Sequence, residues 1–181
     1  MKKNILISMG LVCALYGFTF LKGNTWTVDA KNIKISFDVP ADPHQLSFTT
    51  LDASINFDPL SPAASEIIAR IDVKSLVTED PGLTKHLLSP DFLDAEKFPQ
   101  IKFISTRIEK KGQGFIAYGG LALKDSVHAV SIPFTFTQND EEASFKGSFS
   151  IFSGDYGVMK KSKSGSDKVI ISLEIPVSRP K

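Results

Sequence analysis

Apolar and polar side chains alternate along most of this chain, and that period of two restricts the possible folds more than any other feature. In residues 33–39 and again in residues 169–177, every second side chain is apolar. An extended strand points successive side chains to opposite faces of a sheet, so each such segment predicts a β-strand with one buried face. The chain is therefore predicted to be all-β.

Eight segments carry this pattern, and most of the connections between them are short enough for hairpins. Hairpins favour antiparallel pairing, and eight antiparallel strands close readily into a barrel. A two-sheet sandwich is the alternative, because alternation alone does not separate the two folds. Gly119-Gly120 predicts a bulge or sharp bend, and Pro133 a bulge or a weakly paired position. The predicted strands are about residues 33–39, 46–57, 66–73, 100–109, 115–123, 130–136, 145–151 and 169–177.

Phenylalanine is frequent: the chain has 14, and only Phe18 and Phe20 precede residue 24. An aromatic-rich interior is either a filled core or the lining of a cavity for an apolar ligand. If the barrel holds a cavity, alternation assigns a set of side chains to its lining. These candidates are Phe37, Phe57, Phe103, Phe134, Phe136, Phe149 and Ile151.

A short helical insertion is predicted between strands three and four. Glu79-Asp80-Pro81 resembles a helix start, because acidic residues and proline favour the first turn. Ser89-Pro90 ends the helix, which is too short to form a domain and is expected to pack on the barrel as a plug or lid. The side chains expected to seal or gate the barrel are Leu83, Leu87, Leu88 and Phe92.

Residues 1–23 have the outline of a secretory signal, in which Lys2 and Lys3 precede an almost wholly apolar run. The run is short for a transmembrane helix, although an uncleaved N-terminal anchor is the alternative. Residues 24–181 then form the folded domain, and we expect a periplasmic or secreted protein. Cys13, the only cysteine, lies in the apolar run and follows Val12, where lipid-modification sites have a small residue. Residues 24–181 therefore cannot form an internal disulfide.

Charge and motifs argue against several function classes. Residues 24–181 carry 18 basic and 20 acidic side chains, a formal charge of −2, so no basic field is expected to attract nucleic acid. The three histidines are far apart in sequence, so no metal-ligand spacing occurs, and no cofactor motif or nucleophile motif is present. His86, Asp91 and Asp94 are the candidates for acid–base catalysis. A hydrogen bond to the backbone or to an acid near the plug is the favoured explanation for His86, and capping and turn formation are favoured for the two aspartates.

One long motif surrounds the insertion. It reads Ile71-Asp72-x-x-Ser75-Leu76-x-Thr78, then His86-Leu87-x-Ser89-x-Asp91-Phe92-Leu93-Asp94-x-x-x-Phe98-Pro99-x-Ile101-x-Phe103-x-Ser105-Thr106. Two shorter motifs accompany it, Trp26-x-Val28-Asp29 and Asp155-Tyr156-Gly157-Val158. Through these residues the chain resembles the YceI family of exported bacterial proteins over about residues 25–177. Departures from the usual family pattern include Ala53 in place of glycine and Lys124-Asp125-Ser126 in place of His-Gly-Val.

The resemblance implies an eight-stranded, lipocalin-like antiparallel barrel with a channel for a long polyisoprenoid chain. It implies an isoprenoid or fatty lipid as ligand, for which an isoprenoid quinone or a polyprenyl lipid is the type, and transient contact with a membrane. We therefore expect a lipid-binding carrier without catalytic residues, metal or cofactor. Two alternatives remain open: a filled barrel that acts as a structural or interaction module, and an acid–base enzyme that uses the cavity.

Overall fold

The computed structural model describes residues 24–40 and 42–180. The predicted export segment, residues 1–23, lies outside the described residues. Within the described part the chain forms eleven strands and one α-helix. These are β1 (Thr25–Val28), β2 (Lys34–Val39), β3 (Asp42–Phe48), β4 (Asp52–Asn56), β5 (Glu66–Asp72), β6 (Leu76–Thr78), α1 (Pro81–Leu88), β7 (Gln100–Lys111), β8 (Gly114–Leu123), β9 (Ser126–Asn139), β10 (Glu142–Phe152) and β11 (Lys168–Ser178).

Eight of the strands form a closed antiparallel barrel, which confirms the predicted fold. The ring runs β1-β4-β5-β7-β8-β9-β10-β11 and returns to β1. β11 has two neighbours on one edge, because β1 pairs with Val177 and Ser178 while β2 pairs with residues 170–174. β2, β3 and β6 therefore branch from the side of β11. Alternation is clearest in β8, where every second side chain is buried.

The single strand predicted for residues 46–57 is wrong, because β3 ends at Phe48 and β4 begins at Asp52. The two strands have different partners: β3 pairs with β2 and β6, whereas β4 pairs with β1 and β5. Between them, the Thr49 amide donates to the Ser75 carbonyl at 3.2 Å and fixes the break. Because of this break, β2 pairs within the side branch. The ring strand is therefore β1 and not the strand predicted for residues 33–39.

The predicted bulge lies on the neighbouring strand rather than at Gly119-Gly120. The register of β7 against β8 shifts between Ser105 and Arg107, opposite Gly119 and Tyr118. Gly119 is needed for a different reason, since a Cβ there would lie 2.2 Å from the Ile104 carbonyl oxygen. A side chain at this position would collide with the backbone of β7.

Pro133 marks the point at which two strands separate. It pairs with Ile116 on β8, while the pairing of β9 with β10 ends one residue away, at Phe134 and Gly147. Proline has no amide hydrogen to donate, so it suits a position with one unpaired side. Beyond it, the 3-10 helix Ser153–Tyr156 fills the gap between the strands, where the rings of Tyr156 and His128 are 4.8 Å apart.

The two ends of the barrel differ. At the end we call the mouth end, β8 and β10 finish at Leu123 and Phe152 and β7 starts at Gln100. The helical insertion lies between β6 and β7, as predicted, and it begins and ends at the mouth end. Asp80 caps α1, because its carboxylate accepts from the Gly82 amide at 2.7 Å. Among the described residues, no helix is long and apolar enough to cross a membrane.

Candidate ligand-binding cavity

A cavity of about 170 Å³ lies inside the barrel. All eight ring strands except β1 contribute to its wall, and so does β2. In the described part of the chain, Lys146 is the one charged residue that borders it, and its ammonium is directed outward to Glu174 at 3.0 Å. The cavity surface is therefore almost wholly apolar. Such a surface favours an apolar ligand, because polar groups buried there would lose their hydrogen bonds to water.

Five of the seven side chains that the sequence assigned to the lining do line this cavity: Phe37, Phe103, Phe134, Phe149 and Ile151. Their contact with a ligand stays a prediction. Many aliphatic residues share the wall with them, and the sequence analysis did not name these. The period-two pattern that selected the phenylalanines would have selected them too, among them Ile35, Leu51, Ala53, Ile71, Ile101, Leu121, Leu123, Ile171 and Leu173.

The other two candidates, Phe57 and Phe136, lie in an aromatic cluster that closes the barrel opposite the mouth end. Phe57 is fully buried, and its ring centroid is 5.0 Å from those of Phe115 and Phe136. Trp26 packs edge-on against Phe136 at 5.3 Å and donates from Nε1 to the Phe57 carbonyl oxygen at 3.0 Å. The guanidinium of Arg179 covers the Trp26 ring at 4.1 Å. The cluster makes this the closed end.

On β7 and β10, the side chains that line the cavity are less buried toward the mouth end. Phe103 and Phe145 are buried, whereas Ile101, Phe149 and Ile151, nearer the mouth end, are only half-buried. Because the wall loses cover in this direction, ligand access is expected at the mouth end. Two stretches of chain lie there, and we call them the plug segment (residues 81–98) and the mouth loop (residues 153–167).

The plug segment packs its leucines against the barrel core. Leu87 and Leu88, both half-buried, contact the core, as does Leu93, which the sequence analysis did not select. Leu83 and Phe92 are also half-buried, and the Phe92 ring lies 4.5 Å from that of His86. None of the four predicted plug side chains is part of the cavity wall. Their role as a seal or gate stays a prediction.

Lys124 joins the plug segment to the mouth loop. It occupies the turn between β8 and β9, and its ammonium donates to the carbonyl oxygen of Phe92 at 2.6 Å and to that of Gly157 at 2.9 Å. The first acceptor belongs to the plug segment and the second to the mouth loop. A single cation therefore ties the plug segment to the mouth loop, at the position where the sequence departs from the family pattern.

Polar contacts also order the mouth loop internally. Ser153 donates from its amide and from Oγ to the Asp167 carbonyl oxygen, at 2.8 and 3.0 Å. Lys161 donates to Asp155 at 2.7 Å, and this hydrogen bond lowers the pKa of the Asp155 carboxyl below its usual value. Burial raises the pKa of the Tyr156 phenol, so this side chain stays neutral at physiological pH.

The acid–base candidates lie away from the cavity. His86, Asp91 and Asp94 belong to the plug segment and are not part of the cavity wall. Asp94 adopts a left-handed backbone conformation, and its carbonyl accepts from the Phe98 amide at 2.8 Å. Within residues 24–40 and 42–180, no group of three or more His, Cys, Asp or Glu side chains is placed to hold a metal ion.

The fold and the cavity define a class, the closed antiparallel barrels that can keep an apolar cavity for one small ligand. The YceI-like domain matches residues 26–177, and the chain belongs to this family. The resemblance drawn from the motif is thereby confirmed.

Relatives of known sequence and structure agree with this assignment. A UPF0312 protein of Yersinia enterocolitica is 33% identical over 105 residues, which are 57% of this chain and 55% of that protein. The chain thus spans about half the length of the curated relatives it matches. Burkholderia cenocepacia BcnA superposes with a TM-score of 0.78 at 25% identity, covering 83% of this chain and 99% of BcnA.

A polyisoprenoid binding domain from Saccharophagus degradans, implicated in plant cell wall breakdown, has the same fold. It superposes with a TM-score of 0.61 and covers 87% of this chain and 99% of that domain. The two sequences are 11% identical, so this likeness is one of fold.

Proposed function

We propose that this protein binds an isoprenoid or other long-chain lipid, with the tail in the barrel cavity, and sequesters or carries it without chemical change. The observation that carries the proposal is the almost wholly apolar cavity inside a YceI-like barrel. The polyisoprenoid-binding relative of the same fold supports the choice of ligand class. An isoprenoid quinone or a polyprenyl lipid fits this description.

The side chains at the cavity fit a branched, flexible tail. Phe103 and Phe134 present aromatic faces, while Ile71 and Ile151 near the mouth end present branched aliphatic groups. Apolar area removed from water contributes about 25 cal/mol per Å². A tail therefore gains affinity in proportion to the length that enters, with no requirement for a specific polar contact.

The cavity volume shows that a long tail needs a wider space. An apolar cavity of about 150 Å³ in another protein takes up a single benzene molecule. The 170 Å³ cavity is similar in size, so in this conformation it holds about one isoprene unit, which has five carbons. We infer that the plug segment and the mouth loop separate when a longer chain binds, and that the Lys124 contacts break in the process.

We also propose that the protein works in the periplasm or outside the cell, where it makes transient contact with a membrane. The positively charged, apolar start of the sequence supports export. A carrier of a lipid that is insoluble in water has to receive its cargo from a membrane or another carrier.

The experiment is a titration of the delipidated protein with prenyl alcohols of increasing chain length, in which the heat of binding is measured. Each added isoprene unit buries five carbons at about 0.8 kcal/mol per carbon, an upper limit of about 4 kcal/mol. Affinity is expected to rise steeply with chain length and then level off when the barrel is full. An affinity that does not depend on chain length would contradict binding of the tail in the cavity.

A further inference from the structure

Four lysines lie close together in sequence beside the cavity mouth. Lys160, Lys161, Lys163 and Lys168 lie within nine residues at the end of the mouth loop and the start of β11. Lys161 is paired with Asp155, whereas the other three form no ion pair with any described residue and are exposed. Residues 24–181 carry a net charge of −2, so this basic surface is local and opposes the charge of the domain.

Exposed apolar side chains lie next to these lysines. Phe152 is 46% exposed and Met159 is 41% exposed, although both are large apolar residues. Phe152 is the register partner of Lys168, and the backbone of Lys161 lies against Gly154, where an added Cβ would be 2.6 Å from the Lys161 Cα. The loop thus folds back beside the end of β10, so that Lys161, two residues after Met159, lies against Gly154, two residues after Phe152.

We propose that this surface, formed by Phe152, Met159, Lys160, Lys163 and Lys168 and called here the mouth surface, docks the protein on a bilayer that contains anionic phospholipid. Peripheral membrane binding combines apolar side chains that insert at the headgroup boundary with cations that pair with anionic lipid. The mouth surface supplies both. Val127, which is 68% exposed at the mouth end of β9, adds an apolar side chain at the same end of the barrel.

The position of the mouth surface explains why a bilayer fits better than a soluble polyanion. A soluble polyanion would leave Phe152 and Met159 exposed to water, whereas a bilayer would bury these apolar side chains. The surface lies on the mouth loop, which Lys124 ties to the plug segment. Docking therefore brings the cavity entrance to the membrane, and it disturbs one of the two covers there. Cargo transfer at this surface rests on the proposed function, while docking itself does not need a cargo.

The test is co-sedimentation with vesicles of phosphatidylcholine, with and without phosphatidylglycerol, at low and high salt. Every variant is purified after export from the same host, so that residues 1–23 are processed alike. Each lysine near an anionic surface contributes about fivefold in affinity, so K160Q/K163Q/K168Q is expected to bind anionic vesicles about 100-fold more weakly. F152S/M159S is expected to bind more weakly at high salt as well. The control K110Q/K111Q, which removes two lysines at the closed end, is expected to bind like the wild type.

Three results would overturn the proposal. The first is equal binding to vesicles with and without phosphatidylglycerol, and the second is unchanged binding of the triple lysine variant. The third is a loss of binding in the lysine variant while F152S/M159S binds as tightly as the wild type. The last result would identify a general polyanion site. Lipid extracted from the same preparations separates this test from that of the proposed function. Docking without extractable lipid would count against the carrier role alone, and bound lipid without docking would count against the mouth surface alone.

Discussion

Substitution of Ala53 by Phe tests whether the cavity is the ligand site. Ala53 on β4 lines the cavity opposite Ala69 on β5, so the wall carries two of its smallest side chains there. A phenyl ring has six carbons, as benzene does, and a cavity of about 150 Å³ takes up one benzene. The new ring would therefore occupy most of the 170 Å³.

The magnitudes for Ala53→Phe follow from buried area. A buried phenylalanine removes about 150 Å² from water, which at about 25 cal/mol per Å² corresponds to about 3–4 kcal/mol. Overpacking costs about 1–3 kcal/mol and offsets much of this gain, so the free energy of unfolding should change by no more than about 3 kcal/mol. A tail that loses the same contact area should bind about 100- to 1,000-fold more weakly.

The assay measures prenyl alcohol affinity and thermal unfolding on the same samples. Ser54→Phe is the matched control, because Ser54 is the next residue on β4, is exposed and does not line the cavity. The control should bind like the wild type. If Ala53→Phe folds and binds a long prenyl chain with unchanged affinity, the tail does not occupy this cavity and the reasoning fails.

Three further substitutions test other parts of the structure. Lys124→Met removes two charge-assisted hydrogen bonds, one to the plug segment and one to the mouth loop. Release of bound lipid, measured by stopped-flow exchange, should therefore be about tenfold faster. An unchanged release rate would contradict the role of Lys124 in joining the two segments. Gly119→Ala should lower the free energy of unfolding by about 3 kcal/mol, because its Cβ would overlap the Ile104 carbonyl, while Gly120→Ala should have little effect; equal effects would refute this explanation. Hydrogen bonds from Lys146 and Lys34 lower the pKa of the Glu174 carboxyl. The stability that Glu174 contributes is therefore fully present above its unfolded pKa of about 4.5 and is lost as pH falls through the lower folded value. In denaturant titrations, Glu174→Gln should be less stable than the wild type at neutral pH and equally stable in strong acid.

Alternation along the chain was enough to predict an all-β fold, because period two reports directly which strand face is buried, whereas the choice of a barrel over a sandwich came from the family resemblance. Alternation succeeded for β7 through β11, which are long strands, although the register of β7 against β8 shifts once. It failed between Phe48 and Asp52, where no glycine or proline marks the break. The break depends on which strands β3 and β4 meet, and pairing partners distant in sequence leave no local pattern.

The site was predicted in part for the same reason. Phe57 and Phe136 point inward as Phe103 does, but alternation does not tell how far along the barrel axis a side chain lies. Depth depends on strand register, which places these two at the closed end. The sequence analysis noted Lys124 only as a departure from the family pattern and did not predict its contacts, because its two acceptors are backbone carbonyls 32 and 33 residues away in sequence. Every residue has a backbone carbonyl, so the residue type at positions 92 and 157 does not indicate that a lysine will donate to them.

The central claim, that the barrel carries an isoprenoid lipid, is tested most directly on protein purified from its native source. Extraction with organic solvent and mass spectrometry of the extract measures what the cavity holds. The account predicts an isoprenoid lipid in near-stoichiometric amount from the wild type and from Ser54→Phe, and a strongly reduced amount from Ala53→Phe. Extracts without lipid, or the same lipid in equal amount from Ala53→Phe, would contradict it.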